Sequence, residues 1–207
     1  MKNYNEVLIG LFTVENGYLK VLLLKKKSEP YKGYWILPNE FLSKDTLEDT
    51  AHKIIKDEFG LKDVDIYQSH TFSETNRYEN KRVVGTSFIA LVDSQTINLK
   101  MKEVKNENAW FKIKEIPKMG FDHNKVITKL TADLKKMLLD DKLIKTFFPS
   151  DFTLSELQKL YEQLLNKKLD RRNFRKRIFK LDILEETGVL SDGKLGRPAM
   201  LYRFKDK

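Results

Sequence analysis

The residues whose types and spacing most clearly suggest a chemical role form a short cationic segment, residues 167–180. It holds eight lysine or arginine residues and a single acid, Asp170. Its apolar residues Leu169, Phe174 and Ile178 recur at helical spacing, which Leu181 continues just after it. A short helix that docks through one face and carries cations on the others fits the major groove of duplex DNA. A solvated basic surface is the alternative, and the flanking residues distinguish the two.

The preceding residues predict a helix-turn-helix order. Thr153 and Glu156 fit a capping box, and an apolar pattern of helical period follows them to Leu165. Asp170 is then placed to cap the cationic helix, with its carboxylate near the positive end of the helix dipole. A first helix, a short turn and a cationic second helix are typical of DNA-binding domains whose second helix reads the groove.

A β-hairpin is predicted after the cationic helix. Residues 183–190 and 199–204 are strand-like, and residues 193–198 supply two glycines, Lys194, Arg197 and a proline between them. Such a hairpin tip acts as a wing, from which Lys194 and Arg197 would reach the phosphates or the minor groove. Because three neighbouring elements agree, the sequence predicts a winged helix-turn-helix domain.

The residue types of this domain predict which side chains contact bases and which contact phosphates. Asn pairs bidentately with adenine and Arg with guanine, so the predicted base readers are Arg172, Asn173 and Lys176. The predicted phosphate contacts are Arg171, Arg175, Lys194 and Arg197. Lys168 and Arg177 are expected to be plain surface cations. One recognition helix reads only a few base pairs, and we therefore expect a homodimer on a palindromic double-stranded DNA operator.

Composition is consistent with a basic, two-part protein. The 207 residues carry a net charge of +9, of which +5 falls in the 62 residues from Thr146 onward. This concentration favours a polyanion as the partner of the C-terminal part. Cysteine is absent, which excludes disulfides and thiolate metal sites, and the three histidines lack metal-ligand spacing. Without a signal peptide or an apolar run of about 18 residues, a cytoplasmic location and no membrane contact are expected.

The first 125 residues predict a sheet and one well-defined helix. Residues 7–13 and 18–24 read as a hairpin, and residues 82–91 read as a further strand. The helix begins near Thr46 and stops at Gly60. Three segments, W-x-L-P at 35–38, T-L-E-D-x-A at 46–51 and D-E-x-G-L at 57–61, resemble the Nudix motif. The resemblance implies an α+β fold, a Nudix-like α/β/α sandwich with a mixed sheet, followed here by the winged helix-turn-helix domain.

The resemblance also implies a chemistry that this sequence has altered. Nudix enzymes use several carboxylates on one helical face to bind Mg²⁺ across a diphosphate and to activate water. In the aligned motif, Lys53 and Ile54 stand where Arg and a metal-binding Glu are usual, and isoleucine cannot bind a hard cation. Asp57 and Glu58 remain as residual candidates for weak Mg²⁺ binding. We therefore expect no catalytic residues, no resident cofactor and an inactive Nudix-like domain.

Further motifs extend the resemblance over nearly the whole chain. They are F-D-H at 121–123, F-T-L-S-E-L-Q-x-L-Y-E at 152–162, L-D-R-R-N-F-R-K-R-I at 169–178 and G-R-P-A-x-L-Y-R-F at 196–204. Together they resemble the Nudix-related transcriptional regulators of bacteria typified by NrtR. That resemblance implies a homodimeric, ligand-responsive repressor or activator, with an effector-sensing domain at 1–140 and a DNA-binding domain at 141–207. The alternatives are a hydrolase of nucleoside diphosphate derivatives such as ADP-ribose, and a basic scaffold protein.

The effector implied by the family is ADP-ribose, a related nucleotide or a sugar. Its predicted cleft lies between the loop after Pro38 and residues 72–82. The predicted effector contacts are Glu40, Phe72, Arg77 and Arg82. The two guanidinium groups are expected to donate to phosphate or hydroxyl oxygens, and Phe72 and Tyr78 are candidate stacking surfaces. Because Glu40 replaces a glycine and adds a negative charge, an uncharged sugar remains open. Residues 124–148 are expected to couple the two domains.

Overall fold

The N-terminal part of the protein is a mixed sheet built on one long strand. The computed structural model describes residues 3–93, 107–138, 144–148, 151–192 and 198–205. The elements here are β1 (Asn3–Glu15), β2 (Tyr18–Lys25), β3 (Trp35–Ile36), β4 (Asn39–Phe41), α1 (Leu47–Phe59), β5 (Ile66–Phe72), β6 (Arg82–Leu91), β7 (Asn108–Lys112) and α2 (His123–Met137). The strand order is β3-β2-β1-β6-β5, with β4 paired to β1 and β7 to β2. Only the β1–β6 pairing is parallel among the described strands.

Both faces of this sheet are covered, which explains the continuous apolar run of β1. Val7, Ile9 and Leu11 face one cluster together with Ile54 and other residues of α1. The alternate positions of β1 face a second cluster, which contains the buried residues of α2. The predicted α+β sandwich is therefore confirmed.

The boundaries of α1 follow from local interactions. The side chain of Thr46 accepts a hydrogen bond from the backbone N–H of Asp49 at 3.1 Å. Gly60 ends the helix in the left-handed conformation, with φ of 65°, which costs glycine no steric strain. Both ends agree with the sequence prediction.

The C-terminal part is a winged helix-turn-helix domain, as predicted. Its elements are β8 (Phe152–Thr153), α3 (Leu154–Leu165), α4 (Arg171–Lys180), β9 (Leu184–Leu190) and β10 (Met200–Phe204). The strands form an antiparallel sheet in the order β8-β10-β9. Phe174 and Ile178 of α4 are buried against this domain's core, 6% and 2% exposed.

The two parts share a continuous apolar core. One cluster of buried side chains runs from α2 and the sheet into α3 and α4, and includes Leu130, Leu160 and Phe174. At the junction the β1–β2 turn touches α3: the backbone N–H of Leu19 donates to Oε1 of Gln163 at 3.1 Å, and Nε2 of Gln163 donates to the Gly17 carbonyl. A Cβ on Gly17 would come within 2.8 Å of a backbone oxygen of α3, so this close approach requires glycine.

Several predicted features lie outside the described residues. They are the wing tip with Lys194 and Arg197, and residues 139–143, which contain the predicted domain boundary. The first part of the predicted coupling segment lies in the helix α2, residues 123–137. The division at 140 and the coupling role of 124–148 stay predictions. In the described ranges, no helix is both long and apolar enough to cross a membrane.

Candidate functional site

The turn that presents α4 is held by side-chain hydrogen bonds. The Thr153–Glu156 capping box is present, with the Thr153 N–H donating to Glu156 Oε2 at 2.8 Å. Glu162 accepts from the backbone N–H of Leu169 at 3.0 Å and from Lys168 Nζ at 3.1 Å. The Leu169 bond first, then one from the Gln158 amide and then that of Lys168 lower the pKa of Glu162 to about 2. Asp170 caps α4 by accepting from the Asn173 N–H at 2.9 Å.

The predicted base readers lie together on the exposed side of α4. Because Phe174 and Ile178 turn inward, the opposite arc of the helix carries Arg172 and Lys176, with Asn173 beside them. All three are exposed. The helix therefore presents two cations and an amide, the groups that read guanine and adenine edges.

The predicted phosphate contacts on α4 lie on its flank toward β10. Arg171 and Arg175 line a groove with Thr153, Pro198 and Met200. The guanidinium of Arg175 also lies 5.4 Å from the ring centroid of Phe179. On the opposite flank Arg177 and Asn173 border an apolar recess. Arg177 is thus separated from the arginines on the wing side.

A buried ionic network lies beside the predicted effector cleft. Arg77 donates from Nε to Asp122 Oδ2 at 2.7 Å, and from Nη2 to Asp122 Oδ1 at 3.0 Å and Glu6 Oε2 at 3.1 Å. The Tyr78 hydroxyl donates to Glu6 Oε1 at 2.7 Å. Burial raises the pKa of Glu6, and the Tyr78 and Arg77 bonds oppose that shift.

This network corrects the expected placement of two effector candidates. Arg77 has a side chain only 1% exposed and is committed to carboxylates, so it does not face the cleft. Phe72 is 6% exposed and packs in the core, with the Arg77 guanidinium 5.9 Å from its ring centroid. Arg82 is half-buried and donates to the Glu74 carbonyl at 2.9 Å. The effector roles of Arg82 and Glu40 stay predictions.

A row of aromatic rings connects the two walls of the predicted cleft instead. Phe41 of β4 and Tyr78 are 6.1 Å apart between centroids, and Tyr78 and Phe121 are 4.5 Å apart. Lys81 places Nζ 4.8 Å from the Phe41 centroid, 5.3 Å from Tyr4 and 5.5 Å from Tyr78. The structure thus brings together the two walls predicted from sequence, the loop after Pro38 and the segment 72–82. The rings offer stacking faces and Lys81 a cation.

The altered Nudix positions form an ion pair. Glu40 Oε1 lies 2.6 Å from Lys53 Nζ, linking β4 to α1, with both side chains 39–45% exposed. Ile54 is 2% exposed and packs against the sheet. Asp57 is exposed and Glu58 half-buried on α1. Where the Nudix pattern has a further carboxylate, this helix has a core side chain.

Sequence reasoning missed Glu6, Asp122 and Lys81 as members of this region. Glu6 could have been noticed, because it occupies a strand position whose alternate neighbours Leu8 and Phe12 are core residues. A fully buried acid at such a position requires a partner. Lys81 had no comparable indication.

His123 holds the backbone that follows β3 in place. It is fully buried, and its Nδ1 accepts the backbone N–H of Leu37 at 3.0 Å. Nε2 therefore carries the proton, and it has no hydrogen-bond partner among the described residues. Burial lowers the pKa of His123 to about 3, so the ring is neutral at physiological pH.

Comparison with known proteins agrees with both halves of this description. A model of the NUDIX domain matches residues 5–130, and a model of the NrtR DNA-binding winged helix domain matches residues 145–204. The crystal structure of Shewanella oneidensis NrtR complexed with a 27mer DNA superposes with a TM-score of 0.76 at 28% identity, covering 97% of this chain and 93% of that one.

Two curated proteins are also similar. The ADPR responsive transcriptional repressor NtrR of Acinetobacter baylyi is 28% identical over 202 residues, 95% of this chain and 80% of that protein. The ADP-ribose pyrophosphatase of Methanocaldococcus jannaschii is 32% identical over 109 residues, 52% of this chain and 63% of that enzyme. The first similarity spans both parts of the chain, and the second about half of it.

Substitutions on α4 test the assigned DNA-reading face. Arg172→Ala and Asn173→Ala should each weaken binding to a duplex selected by the wild type by about 1–3 kcal/mol, because each removes a bidentate base interaction. Each should also relax base preference at one position, measured by selection from random duplexes. Arg177→Ala is the matched control and should retain that preference. If both test variants select the wild-type sequence with wild-type affinity, the assigned face is wrong.

The buried His123 predicts a pH-dependent stability. In the unfolded chain the His123 ring takes up a proton near pH 6.5, whereas in the folded protein it does so only near pH 3. This contribution is therefore fully present above pH 6.5 and is lost as pH falls toward 3, at up to about 1.4 kcal/mol per pH unit. Denaturant titrations from pH 7 to 4 give the free energy of unfolding at each pH. For His123→Gln this free energy should fall less steeply with decreasing pH than for the wild type. His52→Gln, the same change at an exposed site, should keep the wild-type slope; equal slopes for all three proteins would contradict the assignment.

Proposed function

Because the chain belongs to the Nudix family and ends in an NrtR-type winged helix domain, we propose that it is a transcriptional repressor that releases its operator when a nucleotide effector binds. The effector class is ADP-ribose. The cationic face of α4, set on a core continuous with the Nudix domain, is the observation that carries the proposal. A relative similar over 95% of the chain is named as an ADPR responsive repressor.

The proposed operator complex is symmetric. One α4 per chain contacts only a few base pairs, and two half-sites one or two helical turns apart supply the remaining specificity. The proposal therefore includes a homodimer, a palindromic operator and a cytoplasmic location. The similar Shewanella oneidensis protein was crystallised with a 27mer DNA.

The proposed effector site is the aromatic row with Lys81. A purine base stacks on aromatic faces, and a diphosphate needs cations, which Lys81 and Arg82 provide. Phe41 is 36% exposed and so is accessible to a base. Glu40 adds a negative charge nearby, which favours the second candidate, an uncharged sugar.

The proposal also includes an inactive Nudix domain. Mg²⁺ catalysis depends on the number and geometry of its ligands, and the buried Ile54 supplies none. The residues present therefore do not fit the metal site of a Nudix enzyme, although Asp57 and Glu58 retain the oxygens for weak binding. A hydrolase is the competing function, favoured by the 32% identity to an ADP-ribose pyrophosphatase.

Titration of ADP-ribose into the protein–operator complex tests the effector. Release of DNA at micromolar to millimolar ligand is expected. Phe41→Ala should raise the concentration needed by roughly 5- to 100-fold, because base stacking contributes about 1–3 kcal/mol. Its operator affinity without ligand should match the wild type. No release at millimolar ADP-ribose would exclude the nucleotide effector while leaving the repressor function standing, and sugars would then be titrated.

An assay for AMP separates the repressor from the hydrolase. The purified protein with Mg²⁺ and ADP-ribose should release no AMP above the rate without protein, because a metal-binding position holds isoleucine. An active Nudix pyrophosphatase under the same conditions is the positive control. Turnover by this chain that requires Mg²⁺ and is lost in Glu58→Gln would establish the hydrolase.

A further inference from the structure

A basic groove of about 340 Å³ lies at the junction of the two domains and has no part in the proposed function. Its walls come from the start of β2, the turn after β7, the helix α3 and the turn that leads to α4. Its charged lining residues are Lys112, Lys114, Glu115, Lys159, Glu162, Lys167 and Lys168. Both domains thus contribute cations to one surface.

The centre of the groove is an aromatic ring flanked by two ammonium groups. Tyr18 is 40% exposed. Lys112 Nζ, from the Nudix domain, lies 5.0 Å from the Tyr18 ring centroid, and Lys159 Nζ, from α3, lies 5.4 Å from it. The two ammonium groups therefore lie within about 10 Å of each other across the domain junction, and cation–π attraction supports both positions.

The acids in the groove do not neutralise it. Glu115 accepts from Lys112 at 2.9 Å, and Glu162 is occupied by the α4 turn and Lys168. In the described part of the chain, Lys114, Lys159 and Lys167 have no carboxylate within salt-bridge distance. Five lysines against two acids leave the groove with a net charge of +3.

The position of the groove favours the phosphate backbone of DNA as its partner. Lys167 and Lys168 lie in the turn just before Asp170, the cap of α4. In a helix-turn-helix complex this part of the domain lies beside the phosphate backbone of the DNA, while the second helix enters the major groove. The remaining lysines continue the same cationic surface onto the Nudix domain.

We propose that this groove binds backbone phosphates of the operator next to the base pairs that α4 reads, so that the Nudix domain itself holds DNA. The inference rests on the proposed DNA binding and assigns Lys112 and Lys114 to it. Lysine ammonium groups are compact point charges that bind phosphate without base preference. Their contribution is therefore independent of sequence and dependent on salt.

The salt dependence of operator affinity in Lys112→Gln/Lys114→Gln tests the assignment. The slope of log K against log salt concentration should fall by about one unit for each lysine–phosphate interaction that the substitutions remove. For two such interactions, affinity at 0.1 M salt should fall roughly 10- to 60-fold. The decrease should be equal on the operator and on a scrambled duplex. Lys112→Arg/Lys114→Arg should retain the wild-type slope.

The matched control is Lys56→Gln/Lys62→Gln, which removes the same charge from exposed positions of the same domain. It should keep the wild-type slope. If the salt-dependence slope in Lys112→Gln/Lys114→Gln equals that of the wild type, the inference is overturned. This holds even if millimolar inorganic phosphate protects the groove lysines from acetylation, since that result would show only that the groove binds small anions. A different result, in which the wild-type protein binds all duplexes with equal affinity, would overturn the proposed function.

Discussion

A guanidinium buried between two carboxylates is the constraint on which the aromatic row and the elements around it depend. Arg77 joins Glu6 of β1 to Asp122 at the start of α2, and all three side chains are at most 13% exposed. Breaking such a pair by removing one partner costs about 3–5 kcal/mol, because a buried charge is left uncompensated. The same network fixes Tyr78 through Glu6, and so holds the aromatic row in place. Room for the guanidinium depends on Gly85, since a Cβ there would lie 2.2 Å from Nη1.

The strand β1 connects this network to the DNA-binding domain. Glu6 lies near one end of β1, and the turn at Gly17 follows its other end and packs on α3. The hydrogen bonds of Gln163 to this turn, and the continuous core beside it, tie the position of α3 to the sheet. An effector changes the position of α4 only if it binds one arrangement of these parts better than another. Strand β1 joins the two places concerned, with Glu6 of the buried network near one end and the turn that packs on α3 after the other.

In the C-terminal part, the cations with different predicted roles lie on different surfaces. The predicted base readers Arg172, Asn173 and Lys176 are exposed on α4. The arginines on the wing side lie on one flank of α4, and the lysines of the junction groove lie on α3, on the turn before α4 and on the Nudix domain. Backbone contacts position a protein on the duplex, and base contacts select the site. The distribution of charge in this chain follows that division.

The sequence alone determined the features that depend on neighbouring residues. The Thr46 and Asp170 caps, the Thr153 capping box, the Gly60 stop and the cationic face of α4 all arise from groups a few residues apart. The Nudix resemblance and the replacement of a carboxylate by Ile54 were likewise readable. Tertiary structure decided the burial of Arg77, whose partners lie 71 and 45 residues away, because the parallel register places Glu6 opposite Gly85. It also decided the Lys81 contacts and the junction groove, since these form only when distant elements pack together.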